Sequence, residues 1–185
     1  RRREIVTTLG VPFRVIVAQA DEQPLEYEEA LAYLERVVLA KLTAVVSVLG
    51  GERASGHAAI LVADTSVIVD GEILGKPTDS EEAASMLRKL SGRTHDVCTR
   101  FVLADHRGGP IHGETVSTKV SFRPIPESLL LRYASSGEGL DKAGAYAVQG
   151  GAQAFVSRIE GSYSNVVGLP ACEVVVPCPI ATRSR

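Results

Sequence analysis

The 185-residue sequence predicts an α/β protein with a mixed β-sheet and helices packed against it. In its first half, apolar segments of strand length alternate with a long stretch of helical period. In its second half, two apolar segments flank a short glycine-containing turn, which is typical of an antiparallel pair. We therefore expect parallel units in the first half of the sheet and antiparallel pairs in the second.

The first half of the chain carries both strand and helix signals. Residues 11–18 (VPFRVIVA) are rich in β-branched side chains and predict a strand, whereas residues 26–46 space leucines and valines as a helix does. A glycine-rich connection at 47–58 leads to an apolar strand at 59–63. In the following stretch VIVDGEIL (67–74), the Asp-Gly dipeptide suits a two-residue hairpin turn.

The second half begins with the clearest helix of the sequence, at 78–92. Thr78 and Asp79 are alternative N-caps with glutamates three residues on, and Gly92 is a C-terminal stop signal. Beyond it we predict a long antiparallel hairpin, a helix and two more strands, at 95–122, 126–137, 153–161 and 172–178.

The composition excludes several classes of protein. The net charge of -2 and pI near 6.1 provide no basic face for long nucleic acid. Three cysteines without a CxxC pair argue against a disulfide framework or a structural zinc site and favour a reducing cytoplasm. Nothing resembles a signal peptide, and no apolar run reaches the roughly 18 residues needed to cross a bilayer, so we expect no membrane association.

Asp64 and Lys76 are the first candidates for a functional site. Asp64 directly follows the apolar strand, and the end of a strand is where α/β sheets place ligands. Its charge is tolerated there only if water, a metal ion or a cation interacts with it, although the residue would also serve as a turn cap. Lys76 lies between Gly75 and Pro77, where it is either aimed at a phosphate or simply solvated.

Four more charged residues in the first part of the chain are ambiguous when taken singly. Glu22 follows the predicted strand at 11–18, and Lys41 interrupts an apolar helical stretch, where it must snorkel or be paired. Arg1 and Arg2 suit phosphate binding, but a cluster of terminal arginines is more often a solvated tail.

The stretch 137–168 is dense in glycine and small polar residues, which is typical of a binding surface. Its segment LDKAGAYAVQGG contains Asp141, Lys142 and Gln149 among glycines that permit close approach of a ligand. No Rossmann fingerprint, P-loop, HExxH motif or nucleophile elbow is present. The remaining set of acids, lysines and arginines suits phosphate chemistry, in which a carboxylate-held Mg²⁺ and cations neutralise charge while a carboxylate activates water.

Several motifs in one order resemble the Maf family of nucleoside triphosphate pyrophosphatases. They are RRREIVTTLG, ADTSVIVDGEILGKP, AASMLRKLSGRTHDV, LDKAGAYAVQGGAQAFV and GSYSNVVGLP, and together they extend over nearly the whole chain. The resemblance implies one Maf-like domain over residues 1–185. Its fold would be an elongated mixed sheet with flanking helices and two lobes around a cleft, similar to inosine triphosphate pyrophosphatases.

The resemblance also implies an activity and roles for the candidate residues. A nucleoside triphosphate would be hydrolysed between its α- and β-phosphates with a divalent metal, commonly Mg²⁺, with Mn²⁺ as an alternative. Asp64 would activate water or bind the metal, and Glu22 matches the family's other acid and second metal ligand. Lys41 and Lys76 match its phosphate-handling cations.

Three positions bear on substrate choice. In the family branch that acts on dTTP and UTP, specificity is marked by an Arg of S-x-S-P-R-R, the Thr after the catalytic Asp and a Gln of the Q-G segment. These map to Arg1, Thr65 and Gln149. The sequence departs from the family pattern in two places. It shows no S-x-S-P ahead of Arg1, and the lack of this segment would weaken phosphate binding. Arg100 stands where the family usually has a small residue.

Other functions stay open at this stage. A 7-methyl-GTP or purine triphosphate pyrophosphatase would share the fold and the acid and lysine set. A non-catalytic regulator of cell division is the alternative from a different class, because the family is also associated with septum inhibition. The resemblance further suggests a homodimer and a house-cleaning role in the nucleotide pool.

Overall fold

The computed structural model describes residues 1–50 and 59–176. Five strands form one antiparallel sheet in the order β2-β1-β3-β4-β5, flanked by helices, which confirms the predicted α/β class. The strands are β1 (Ile60–Val69), β2 (Glu72–Leu74), β3 (Thr94–Ala104), β4 (Pro110–Phe122) and β5 (Val156–Glu160). The helices are α1 (Arg2–Thr8), α2 (Ala30–Leu49), α3 (Ser80–Leu90), α4 (Glu127–Ser135), α5 (Tyr163–Val167) and α6 (Ala171–Val175), with 3₁₀ turns at Ala143–Ala145 and Gly151–Ala154.

The residues divide into two compact units. Unit 1 comprises Arg1–Asp64, Thr99–Val116 and the described residues from Gly168 onward, and unit 2 comprises Thr65–Cys98 and Ser117–Val167. The expectation of two lobes around a cleft stays a prediction. Among the described residues, no helix has the length and apolar character needed to span a bilayer.

In unit 1, helix α2 packs on one face of β1 and β3. Its Val38 and Leu42 join a buried cluster with Ile60, Val62, Val102 and Ala104. On the other face, Ala63, Phe101, Leu169 and Val174 form a second cluster, against which Ile5 and Val6 of α1 pack. Burial of each valine, leucine, isoleucine or phenylalanine side chain in these clusters stabilises the fold by roughly 1.5–3 kcal/mol. Because side chains alternate along a strand, the α2 face of β1 also receives Asp64.

Unit 2 begins with the predicted hairpin between β1 and β2. Val69 pairs with Glu72, and the two turn residues Asp70 and Gly71 have φ values of 51° and 80°. Two successive left-handed residues are what a type I′ turn requires, so the Asp-Gly prediction is confirmed.

Helix α3 resolves the choice of N-cap. The Asp79 carboxylate accepts hydrogen bonds of 2.9 and 2.8 Å from the backbone amides of Glu81 and Glu82. Thr78 instead donates its hydroxyl and its amide to the Glu82 carboxylate. Asp79 is therefore the cap, and the Glu82 contact closes the turn in front of it.

Two strand predictions are wrong. Residues 11–18 form no strand, and Val15 and Val17 are 62% and 85% exposed. A β-branched pattern supplies only a preference, and a strand also needs a neighbouring backbone to pair with. With this strand the predicted parallel βα unit is lost as well.

The second wrong prediction is the strand at 172–178, because Ala171–Val175 is helix α6. Pro170 precedes the first helical residue and accepts a 3.0 Å hydrogen bond from the amide of Val174, which closes the first turn. Residues 177–178, like most of the predicted connection at 47–58, lie outside the described residues.

Candidate functional site

Lys41 lies between two carboxylates in unit 1. Its Nζ atom is 2.6 Å from Asp64 Oδ1 and 3.0 Å from Glu22 Oε1. Asp64 comes from β1, Lys41 from α2, and Glu22 from the irregular segment that precedes α2. Three of the predicted site residues are therefore brought together by contacts within one compact unit.

Asp64 does not occupy the position that the sequence indicated. It was expected at the exposed end of a strand at 59–63, but β1 continues to Val69, so Asp64 lies within the strand and is only 9% exposed. The run TSVIV after it is also rich in β-branched residues, which extend the strand. A carboxylate at this depth requires a partner, and the Lys41 ammonium provides one.

Burial differs across the three charged groups. The side chains of Asp64 and Lys41 are 13% and 19% exposed, whereas that of Glu22 is 43% exposed. The Lys41–Asp64 bond therefore lies in a poorly solvated environment where charge–charge attraction is strong. Glu22 faces the solvent side of the cluster, where an ion pair alone contributes less.

Arg2 adds a second cation to this site. Its Nε donates a 2.8 Å hydrogen bond to the carbonyl of Gly168, and its side chain is half-buried. Burial lowers the pKa of the Arg2 guanidinium, Asp64 and Glu22 oppose that shift, and Arg1 adds to it. Arg1 itself is exposed and is the N-cap residue of α1.

Tyr33 is a functional candidate that the sequence did not reveal. Its hydroxyl donates a 2.9 Å hydrogen bond to the backbone carbonyl of Glu22. Burial, together with the negative charges of Asp64 and Glu22, raises the pKa of the phenol to about 12. Tyr33 lies on the apolar stripe of α2, a position that by spacing alone is typical of a core residue.

The remaining predicted residues belong to unit 2. Thr65 is partly buried, while Lys76, Asp141 and Gln149 are exposed. The Gly144 amide donates a 3.0 Å hydrogen bond to the Gly75 carbonyl, which joins the loop of Lys76 to the glycine-rich segment.

Lys142 is engaged by its own loop. Its Nζ donates a 2.7 Å hydrogen bond to the Glu138 carbonyl and a second bond to the neighbouring Asp141 carboxylate. In the described part of the chain, by contrast, no hydrogen bond or ion pair engages the Lys76 ammonium. Of the two predicted site lysines in unit 2, Lys76 and Lys142, Lys76 is thus the one available to a phosphate.

Arg100 pairs with an acidic residue of α2. Its guanidinium lies 3.1 Å from the Glu35 carboxylate of α2, and the Arg100 side chain is 18% exposed. Gly113 on β4 provides the room, because a Cβ there would lie 3.2 Å from Arg100 Nη2. Arg100 therefore ties β3 to the helix that carries Lys41.

An apolar cavity of about 470 Å³ lies elsewhere in unit 1. Residues of α1, Arg2 among them, the segment 11–16, β1 and α6 line it. Glu22, Lys41 and Asp64 are not among its lining residues. The cavity is therefore distinct from the acid–lysine cluster.

The two carboxylates of the cluster fit a divalent cation. Both already direct an oxygen at one cationic atom, Lys41 Nζ. Mg²⁺ is commonly held by one or two carboxylates together with waters and substrate phosphates. Within residues 1–50 and 59–176, no group of three or more acidic, histidine or cysteine side chains is placed to hold a metal ion, so a cation held by Asp64 and Glu22 would need waters or substrate oxygens as its other ligands.

Fold and site together define the class of the protein. It is an α/β protein whose site combines two carboxylates with a lysine and an arginine, groups that suit phosphates and divalent cations.

The chain belongs to the family described as "Maf-like protein", whose sequence profile matches residues 1–176. It is 48% identical over 177 residues to a dTTP/UTP pyrophosphatase of Myxococcus xanthus, with 95% of this chain and 85% of the relative covered. The dTTP/UTP pyrophosphatases of Hahella chejuensis and Citrifermentans bemidjiense are 45% and 43% identical, over 95% of this chain and 85% and 88% of theirs. The family resemblance found in the motifs is thus confirmed.

Proposed function

We propose that this protein is a nucleoside triphosphate pyrophosphatase that hydrolyses dTTP and UTP to the monophosphate and pyrophosphate. The observation that carries the proposal is the contact of Lys41 with both Asp64 and Glu22, in a chain of the Maf-like family. The names of the relatives support the substrate class, because all three are dTTP/UTP pyrophosphatases.

The residues have distinct roles in this reaction. A water oxygen attacks the α-phosphorus, the bond from that phosphorus to the bridging oxygen breaks, and pyrophosphate leaves. Asp64 accepts the proton of the attacking water or holds the metal, since both roles require a carboxylate. Lys41, Lys76, Arg1 and Arg2 stabilise the negative charge that develops on the phosphates.

A divalent metal, with Mg²⁺ favoured and Mn²⁺ as an alternative, completes the proposal. Asp64 and Glu22 would hold it, and when bound it would polarise the phosphoryl oxygens and acidify water. Both acids now interact with Lys41, so their engagement elsewhere would leave the ammonium available to the substrate.

Base selection is assigned to Thr65 and Gln149. Thr65 follows Asp64 directly in β1, and the exposed Gln149 side chain lies in the segment that Gly144 joins to Gly75. Asp141 and Lys142 hold this segment in shape through their mutual contact and the bond to Glu138. A homodimer and a house-cleaning role in the cytoplasm stay predictions.

The decisive experiment is pyrophosphate release by the purified protein with Mg²⁺. Turnover of dTTP and UTP at least tenfold above that of 7-methyl-GTP, dATP and dGTP is the expected result. A preference for 7-methyl-GTP or for a purine triphosphate would reject the substrate assignment and keep the enzyme class. No turnover of any triphosphate with Mg²⁺ or Mn²⁺ would reject the enzyme and favour a regulatory role.

A further inference from the structure

The segment that carries Glu22 needs support from outside its own backbone. Residues 19–29, here called the Glu22 segment, contain no helix or strand and are mostly exposed. Ordering each residue of an irregular segment costs conformational entropy. A partly exposed Lys–Glu pair contributes no more free energy than the ordering of a single residue costs. The Lys41–Glu22 contact alone therefore does not hold the segment in place.

Two side chains of α2 attach this segment to the helix. The Tyr33 hydroxyl bonds the Glu22 carbonyl at 2.9 Å, and Arg36 Nη2 donates a 2.8 Å bond to the Gln23 carbonyl. Arg36 also forms a two-point contact with Glu28, with Nε 2.6 Å from Oε1 and Nη2 2.7 Å from Oε2. Glu28 in turn accepts a 3.1 Å hydrogen bond from the amide of Leu25.

The Arg36–Glu28 ion pair and the Tyr33 phenol both keep their charge states near neutral pH. The Arg36 guanidinium lowers the pKa of Glu28 to about 2, so this pair stays ionised near neutrality. Tyr33 stays a neutral hydrogen-bond donor, because the pKa of its phenol is raised. The Arg36 guanidinium also lies over the Tyr33 ring, 5.6 Å from its centroid, which links the two side chains.

The arrangement fixes Glu22 at two points. Tyr33 holds its backbone and Lys41 holds its carboxylate, and these two helix residues are roughly 12 Å apart along α2 at 1.5 Å per residue. A side chain attached at both ends by one rigid helix has its direction set. Without the backbone contact, the exposed carboxylate would sample several rotamers.

We propose that Tyr33 and Arg36 are positioning residues that hold the Glu22 segment on α2 and so aim the Glu22 carboxylate into the Lys41–Asp64 site. This inference rests on the proposed function for its effect on catalysis. Its structural part, the attachment of the segment, does not depend on the activity.

The kinetic test compares Tyr33→Phe with Tyr27→Phe. Both remove one hydroxyl, but Tyr27 is 94% exposed and serves as the matched control. We expect Tyr33→Phe to lower kcat/KM for dTTP about tenfold, the effect of one partly buried hydrogen bond, and to raise the Mg²⁺ concentration required for half-maximal rate. The control variant should stay within twofold of wild type.

The same substitution in a Glu22→Gln background separates positioning from general destabilisation. If Tyr33 acts through the Glu22 carboxylate, Tyr33→Phe costs less than twofold once that carboxylate is gone. An equal loss in both backgrounds, or no loss in the wild-type background, overturns the proposal.

Amide hydrogen exchange tests the attachment independently of turnover. Residues 19–29 should exchange faster in Tyr33→Phe and in Arg36→Gln than in wild type, while Arg132→Gln, at an exposed site on α4, should leave them unchanged. Unchanged exchange in both test variants overturns the proposal whatever the kinetics show. A wild-type protein inactive on every triphosphate rejects the proposed function, and the exchange result then decides this inference alone.

Discussion

Lys41 and Asp64 are 23 residues apart in the chain, and the Lys41 ammonium donates a 2.6 Å hydrogen bond to Asp64 Oδ1. The contact exists because Val38 and Leu42 of α2 pack on Ile60 and Val62 of β1. Lys41 adjoins the apolar stripe of the helix, and Asp64 continues the face that Ile60 and Val62 begin. The apolar packing therefore determines which acid meets which lysine.

Replacement of Lys41 by methionine should remove the cation and leave two carboxylates facing each other. We expect kcat for dTTP to fall by about 10²–10³, and the free energy of unfolding to fall by about 1–3 kcal/mol because Asp64 loses its partner. Lys89→Met is the control, since Lys89 pairs with Glu72 at the surface, where both side chains are about half exposed. Wild-type turnover in Lys41→Met would contradict a role for the ammonium.

Replacement of Asp64 by asparagine keeps the size of the side chain and removes its charge. Turnover should fall by about 10²–10⁴, whether Asp64 acts as base or as metal ligand. Asp70→Asn is the matched control, because Asp70 lies in the exposed hairpin turn and asparagine tolerates its left-handed backbone. Pyrophosphate release and thermal unfolding should be measured on both variants, and an active Asp64→Asn would exclude both roles.

Replacement of Glu22 by glutamine should weaken metal binding more than substrate binding. One anionic oxygen ligand is lost at the solvent side of the cluster, so the Mg²⁺ concentration for half-maximal rate should rise about tenfold or more. Removal of divalent metal with EDTA should abolish wild-type turnover, and added Mg²⁺ should restore it. Glu26→Gln, from the same exposed segment, should require the same Mg²⁺ concentration for half-maximal rate as wild type. If Glu22→Gln also requires the wild-type Mg²⁺ concentration, Glu22 is rejected as a metal ligand.

Gly139 should not tolerate a side chain. A Cβ at this position would lie well inside van der Waals contact with the backbone carbonyl of Ala145, so the glycine-rich segment would have to move. Gly139→Ala should lower the free energy of unfolding by about 1–3 kcal/mol, or Tm by several degrees. Gly75→Ala is the control, because open space surrounds that Cβ position, and equal Tm values for the two variants would contradict the steric account.

Stability should fall in mild acid because of His95. Burial lowers the pKa of this imidazole to about 4 from its ordinary 6.5, against the opposing charge of Asp96. The folded state therefore binds fewer protons than the unfolded state between these values. The contribution of neutral His95 to the free energy of unfolding is fully present above about pH 6.5 and is lost as the pH falls towards 4. The total loss is roughly 3 kcal/mol.

Thermal unfolding of His95→Gln and His106→Gln between pH 7.5 and 4.5 tests this expectation. The His95 variant should show a flatter dependence of Tm on pH than wild type, whereas the exposed His106 variant should not. The Nε2 atom of His95 lies 2.9 Å from the hydroxyl of Tyr146, so the variant will also lose stability at neutral pH. The decisive measurement is therefore the slope of Tm against pH. If this slope is the same in His95→Gln as in wild type, His95 is not the cause of the acid destabilisation.

Local signals in the sequence predicted most of the fold. The helices near 26–46, 78–92 and 126–137, the Asp70-Gly71 turn and the long hairpin are present close to where spacing and turn chemistry placed them. The failures at 11–18 and 172–178 share a cause. Both stretches have strand propensity, but whether a strand forms depends on an available partner backbone and on competing start signals such as Pro170.

Part of the site was also accessible to sequence reasoning. The sequence singles out Asp64, Glu22 and Lys41, and the expectation that water, a metal ion or a cation interacts with Asp64 agrees with the contact to Lys41. Tyr33 and Arg36 were missed, since one lies on an apolar stripe and the other resembles an ordinary surface arginine. Their partners are backbone carbonyls of an irregular segment, which no spacing rule predicts.

The sequence by itself determined the caps, the tight turn, the helical periods and the family motifs. These depend on backbone conformation and hydrogen bonds within about four residues, which local side chains control. Only the tertiary structure decided that Asp64 lies within a strand rather than at its end, that Lys41 joins it to Glu22, and that Tyr33 holds the Glu22 backbone. Those relationships arise when a helix packs on a sheet, because the packing brings together groups that are far apart in the chain.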